Sequence, residues 1–90
     1  MSISFDITES MLFREFSMEE SKAIASISVL HNSVTIAWKS NPEKQYIFRA
    51  SDDFAPFIRD AVRYYNPDEY SIGSVIARAR KSKDLEIINI

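Results

Sequence analysis

Apolar and polar positions alternate from the start of the chain. Ile3, Phe5 and Ile7 are interleaved with Ser2, Ser4, Asp6 and Thr8, and this period of two predicts a short strand. Residues 11–18, MLFREFSM, fit neither the strand nor the helix period and read as a strand or an extended arm. The polar SMEESK at 17–22 reads as a loop or a helical turn. In AIASISVL, Ala25, Ile27 and Val29 fall on one side, with Ile24, Ser26, Ser28 and Leu30 on the other. HNS at 31–33 is a tight turn, assigned to the tolerance of asparagine for the left-handed conformation. VTIAWKS follows, with Val34, Ile36 and Trp38 on one face; it is the clearest strand pattern in the chain. SNPEK turns the chain again, Pro42 being preset for the second turn position. QYIFRA returns with Tyr46 and Phe48 on one face, completing an expected three-stranded antiparallel meander over 23–50.

The period changes after residue 51. Phe54, Phe57, Ile58, Ala61, Val62 and Tyr65 recur at helical spacing and form a broad stripe, with Tyr64 at its edge. Pro56 lacks an N–H and so belongs in a first helical turn. That placement makes Asp53 the expected N-cap, accepting from the Ala55 amide, while Asn66-Pro67 ends the helix. Ser71 is the next N-cap candidate. Ile72, Val75, Ile76 and Ala79 form a second stripe, and Lys83 would fall on it, so the helix is expected to stop near Ser82. LEIINI at 85–90 reads as a final strand with Leu85, Ile87 and Asn89 on one face.

Composition narrows the classes. Ninety residues make one domain, divided here into a strand or arm over 1–20 and an α+β domain over 21–90. The absence of cysteine excludes disulfides and thiolate metal sites, which points to a reducing, cytoplasmic setting. No apolar run approaches the ~20 residues needed to cross a bilayer. The acidic positions Asp6 and Glu9 do not fit a signal peptide, so no membrane association is expected.

The basic residues carry two readings. Arg78, Arg80, Lys81 and Lys83 crowd the end of the second helix in a chain of net charge −2. Arg78 and Lys81 lie behind its apolar stripe and Arg80 flanks it, a placement that the helix dipole alone explains. Arg59 and Arg63 share the solvent face of the first helix, and Asp60 can pair with Arg63. The competing reading joins Arg59, Arg63, Arg78, Arg80 and Lys81 into a nucleic-acid patch. Against it stand the acidic balance of the chain and aromatics assigned to the core, Trp38 and the Tyr46/Phe48 pair among them. Ser71, Gly73 and Ser74 open the second helix as an anion-site candidate; the simpler assignment is a serine cap followed by a glycine that allows close packing. His31 is the sole histidine and sits in a turn with no second metal ligand. Adjacent acids such as Asp52-Asp53 lack the burial that general acid–base work requires. No catalytic residue, cofactor or metal is expected.

MEESKAIASISVL, a strand pair, YIF, and SIG opening a late helix together resemble the KTSC domain. That domain is a short bacterial and phage module named for its occurrence at the C-terminus of some lysyl-tRNA synthetases. Ser21 and Ile24 match the family's Ser and Ile at the entry to its first strand. The family's central Tyr-x-Tyr is here Tyr46-Ile47-Phe48, one hydroxyl short. Its Ser-x-Gly is matched by Ser71, Ile72 and Gly73, but Val75 and Ile76 replace its aromatics and Ala77 its Asn. The resemblance covers residues 18–83. It implies a small sheet with helices, a suggested role in RNA binding and, for a free-standing copy, a phage or bacterial accessory protein.

The expectation is an α+β fold: the small antiparallel sheet, with terminal strands as possible additions, and two helices packed on one face. The expected function is a non-catalytic module that docks onto a protein partner, with Leu12, Phe13 and Phe16 as contacts in an arm that the core does not need. The same arm is the candidate for homo-oligomer formation. The alternative is RNA or single-stranded nucleic-acid binding through the basic helix face.

Overall fold

Buried side chains recur at alternate positions in the central strands, Ile27 and Val29, Val34 and Ile36, Phe48 and Ala50, and that alternation builds the sheet. The computed structural model describes residues 11–89. The strand expected at Ile3, Phe5 and Ile7 lies outside the described residues, as does Ile90. Five strands are present: β1 (Leu12–Glu15), β2 (Ile24–Leu30), β3 (Ser33–Trp38), β4 (Tyr46–Ala50) and β5 (Leu85–Ile87). Two helices, α1 (Phe54–Arg63) and α2 (Ile72–Ser82), lie between β4 and β5 in the chain. The order across the sheet is β1-β2-β3-β4-β5 and every pairing is antiparallel. The fold is α+β.

Registers show which side chains meet. Ile27 faces Ile36, and Leu12, Val29, Val34, Phe48 and Ile87 form one row across all five strands. These positions join Ile58, Val62, Ile72, Ile76 and Ala79 of the helices in one apolar cluster. Ile24 belongs to it as well, although simple alternation puts Ile24 and Ile27 on opposite sides. A bulge between Ile24 and Ser26 adds a residue to β2 and reverses the parity, so both side chains reach the core.

The turns differ in detail from their expected chemistry. His31-Asn32 does join β2 to β3, but the left-handed residue is His31, with φ 54°. Asn32 has another task. Its Nδ2 donates to the Ala50 carbonyl at 2.9 Å and to Asp52 Oδ1 at 3.0 Å, tying the hairpin to the start of α1.

Asp53 is not the side-chain cap of α1. It is already helical (φ −76°, ψ −34°), and its carboxylate takes no capping bond. Ser51 does that work: its Oγ accepts from Phe54 N at 3.1 Å and its carbonyl accepts from Ala55 N at 2.9 Å. The Ser51 hydroxyl donates in turn to Asp84 Oδ1, linking the end of β4 to the entry of β5. At the other end α1 stops at Arg63, short of Asn66-Pro67, and Tyr65 folds back into the core. Phe57, expected on the buried stripe, is 57% exposed. It sits at the margin of the arc centred on Ile58, Ala61 and Tyr65, and its ring rests against Phe54.

Ser71 caps α2 as expected, accepting from Ser74 N at 3.3 Å. The helix ends at Ser82. Lys83 turns left-handed (φ 68°) and the amide of Asp84 donates to the Ala79 carbonyl, closing the last turn. Beyond β5, Asn89 extends the ladder with its side chain: Ile47 N donates to its Oδ1, and its Nδ2 donates to the Gln45 carbonyl.

Candidate functional site

The 11–20 segment is part of the sheet from Leu12 onward, which corrects the picture of an arm that the core does not need. Alternation on β1 sends Leu12 and Arg14 to the side of Val29 and Ile27, and Phe13 to the side of Ser28. Leu12 packs against the core, Phe16 is 5% exposed within it, and its ring meets Tyr65 edge to face at 5.5 Å. Of the three contact candidates, Phe13 alone stands in solvent, at 57% exposure; Met11 and Met18, two residues before it and five after, are 61% exposed each.

Arg14 was not singled out by sequence reasoning, yet it holds this segment in place. Its guanidinium donates to the Val62 carbonyl at 2.9 Å and to Glu20 Oε2 at 2.8 Å, and lies over the rings of Phe16 and Tyr65. Glu20 is presented by a local turn in which Ser17 N donates to Glu20 Oε1 and Glu20 N donates to Ser17 Oγ. This is a capping box on a single turn. The Ser17 amide, with Arg14 second, holds the Glu20 carboxyl below its ordinary value. Tyr65 completes the knot, its hydroxyl donating to the Glu20 carbonyl at 2.8 Å and accepting from Ile72 N. The Ser-x-x-Glu spacing of Ser17 and Glu20 was the legible signal; the reach of Arg14 to α1 was not.

The five basic candidates do not share one task. Arg59, on α1, donates to the Val29 carbonyl of β2, and Arg63 lies over Tyr64. Arg78 and Lys81 are exposed on α2. Arg80 is held elsewhere, its guanidinium 5.3 Å from the centre of the Phe48 ring on β4.

The anion-site candidates are occupied by their own cap. The Ser71 hydroxyl is engaged by the Ser74 amide, and the Ile72 amide donates to Tyr65. Nor is Gly73 demanded by packing: a Cβ there would meet Ser71 Oγ at 3.7 Å and the Ala23 Cβ at 3.9 Å, both ordinary contacts.

Two surface cavities bear on function. His31 lines a wide, shallow one with Leu30, Asn32, Arg49 and Asp52 at the turn end of β2 and β3. Among the described residues no group of three or more metal-ligating side chains comes together. The second lies at the other end of β3. It encloses about 270 Å3 and is lined by Trp38, Ser40, Asn41, Tyr46, Phe48, Arg80 and Ile87. Trp38 and Tyr46 were assigned to the core; both are half-buried and border this opening. Trp38 meets Tyr46 edge to face at 5.4 Å and Phe48 at 6.1 Å. Lys44 lies 5.2 Å from the centre of the Tyr46 ring. No described helix is long and apolar enough to cross a membrane. No family model, curated protein or solved structure matches the chain.

Proposed function

We propose that the chain is a small, non-catalytic, KTSC-like binding module, working in the cytoplasm, that docks onto a protein partner through β1 and its flanks. The observation that carries this reading is the exposure of Phe13, with Met11 and Met18 near it, on a strand whose remaining apolar side chains are packed. Leaving such side chains in water forgoes about 25 cal/mol for each Å2 of apolar surface, which a partner's surface recovers. The reading takes both helices to cover the same face of the sheet, so that Phe13 looks out from the other. Leu12 and Phe16 are withdrawn as contacts because they serve the core.

Affinity capture from extracts of the source cell, with the parent chain and with Phe13→Ala, tests this. A protein retained by the parent and lost by the variant, at an unchanged melting temperature, is the expected result. Capture that survives Phe13→Ala would sink the docking surface. Sedimentation run alongside separates a foreign partner from a second copy of this chain. The alternative, nucleic acid on the basic helix face, has two of its five cations engaged within the fold, Arg59 at the Val29 carbonyl and Arg80 over Phe48. Filter binding at low salt tests it, and a steep salt dependence reduced by Arg78→Ala with Lys81→Ala would restore it.

A further inference from the structure

We propose that the corner pocket of Trp38, Tyr46, Phe48 and Arg80 binds a free mononucleotide, its base against the aromatic rings and its phosphate on the guanidinium. This site is separate from the β1 surface and does not rest on it.

The argument begins with what the fold leaves open. Trp38 and Tyr46 sit on the β3 and β4 ends that flank the Ser40–Lys44 turn, and α2 reaches over this corner with Arg80. Phe48, fully buried, forms the floor. An ordinary core edge would close on itself, but here the two upper rings stay half-buried around open space. Because Trp38 and Tyr46 meet at 86°, at least one of these rings keeps its faces uncovered by the other. Lys44 stands over one face of Tyr46, so a flat base would stack on its other face or on Trp38.

Charge selects the ligand's sign. Arg80 lies over Phe48, its guanidinium carbon 5.3 Å from the ring centre, and a contact of this kind leaves guanidinium N–H groups free to donate. Among the described residues no carboxylate pairs with it. Lys44 stands over the Tyr46 ring but does not line the cavity, and no acidic residue is among the described residues that line it. A cavity lined by a planar donor fork, with no acid among its described lining residues, suits a phosphate rather than a cation or a neutral ring. The rim adds the Ser40 hydroxyl and the Asn41 amide. An amide offers one donor and one acceptor side by side, the pattern that a base edge presents and a plain aromatic acid lacks. The volume, just under the usual range for small-molecule pockets, suits one nucleotide.

Trp38 is the chain's one tryptophan, so its fluorescence reports on this pocket directly. Titration of the full chain with adenosine 5′-monophosphate should give saturable quenching. Adenosine and inorganic phosphate, each carrying half of the chemistry, should bind at least about tenfold more weakly. Arg80→Gln should weaken the monophosphate by a similar factor, and Tyr46→Leu by about fivefold or more. Arg80 is exposed, so the melting temperature of Arg80→Gln should match the parent. Lys81→Gln, a neighbouring cation off the pocket, should change affinity by less than about twofold. Three results would overturn the proposal: no saturable signal, adenosine binding as well as its phosphate, or Lys81→Gln weakening binding as much as Arg80→Gln. A single-stranded oligonucleotide in a parallel titration separates the sources of the same chemistry. A gain of more than tenfold over the monophosphate would replace the free nucleotide with a strand.

Discussion

At the scale of single residues, Arg14 and Glu20 show how a short strand is held on a small core. Arg14 joins β1 to the Val62 carbonyl near the end of α1, and Glu20 secures Arg14 from a turn of its own. The pair is partly exposed, so its Coulombic part is screened by water; the bonds to Val62 and Ser17 give it direction. Its acid dependence has a definite sign. The folded Glu20 carboxyl titrates below its ordinary value of 4.5, so the folded state prefers the ionised form. Its contribution is complete above that ordinary value and is lost as pH falls through the depressed one. The urea midpoint of the parent should therefore drop more steeply below about pH 4.5 than that of Glu20→Gln, whose amide oxygen can still accept from Ser17 but does not titrate. Parallel midpoints down to about pH 3 would show that the Arg14–Glu20 knot does not respond to protonation.

At the scale of elements, the helices are held by their ends as much as by their stripes. α2 carries both of its stops locally: Ser71 bonds three residues ahead, and Lys83 turns left-handed after Ser82. For this reason its limits were legible in the sequence. α1 was harder, because the capping question was decided outside the helix. Asp53 is the better cap by composition, but Ser51 is pinned by Asp84, the residue before β5, and that tertiary tie positions its hydroxyl under the Phe54 amide. Ser51→Ala should therefore cost about 1 kcal/mol or more in urea denaturation, and Asp53→Ala only a few tenths. A larger loss at Asp53 than at Ser51 would return the cap to the aspartate.

At the scale of the whole molecule, period decides the elements and packing decides what each side chain is for. The strands over 23–50, both helices and the last strand follow from periods of two and 3.6 read on β-branched and apolar positions. What escaped that reading depends on distant partners: the parity reversal at Ala25, the reach of Arg14 to Val62, and the corner where α2 lays Arg80 over Phe48. Trp38 and Tyr46 were correctly placed on the core side of their strands, but the opening they border with Arg80 of α2 is a product of packing between distant elements. The same logic separates two phenylalanines three residues apart in β1 and its exit. A ninety-residue domain has a net stability on the order of 5–13 kcal/mol. Phe16 is buried against Tyr65, and truncating a buried phenylalanine costs about 3–5 kcal/mol, so Phe16→Ala should bring the domain close to unfolding. Phe13 is mostly in water, and Phe13→Ala should shift the urea midpoint little. Equal losses at the two positions would mean that β1 is buried on both faces, and the outward side would then have no surface left to offer a partner.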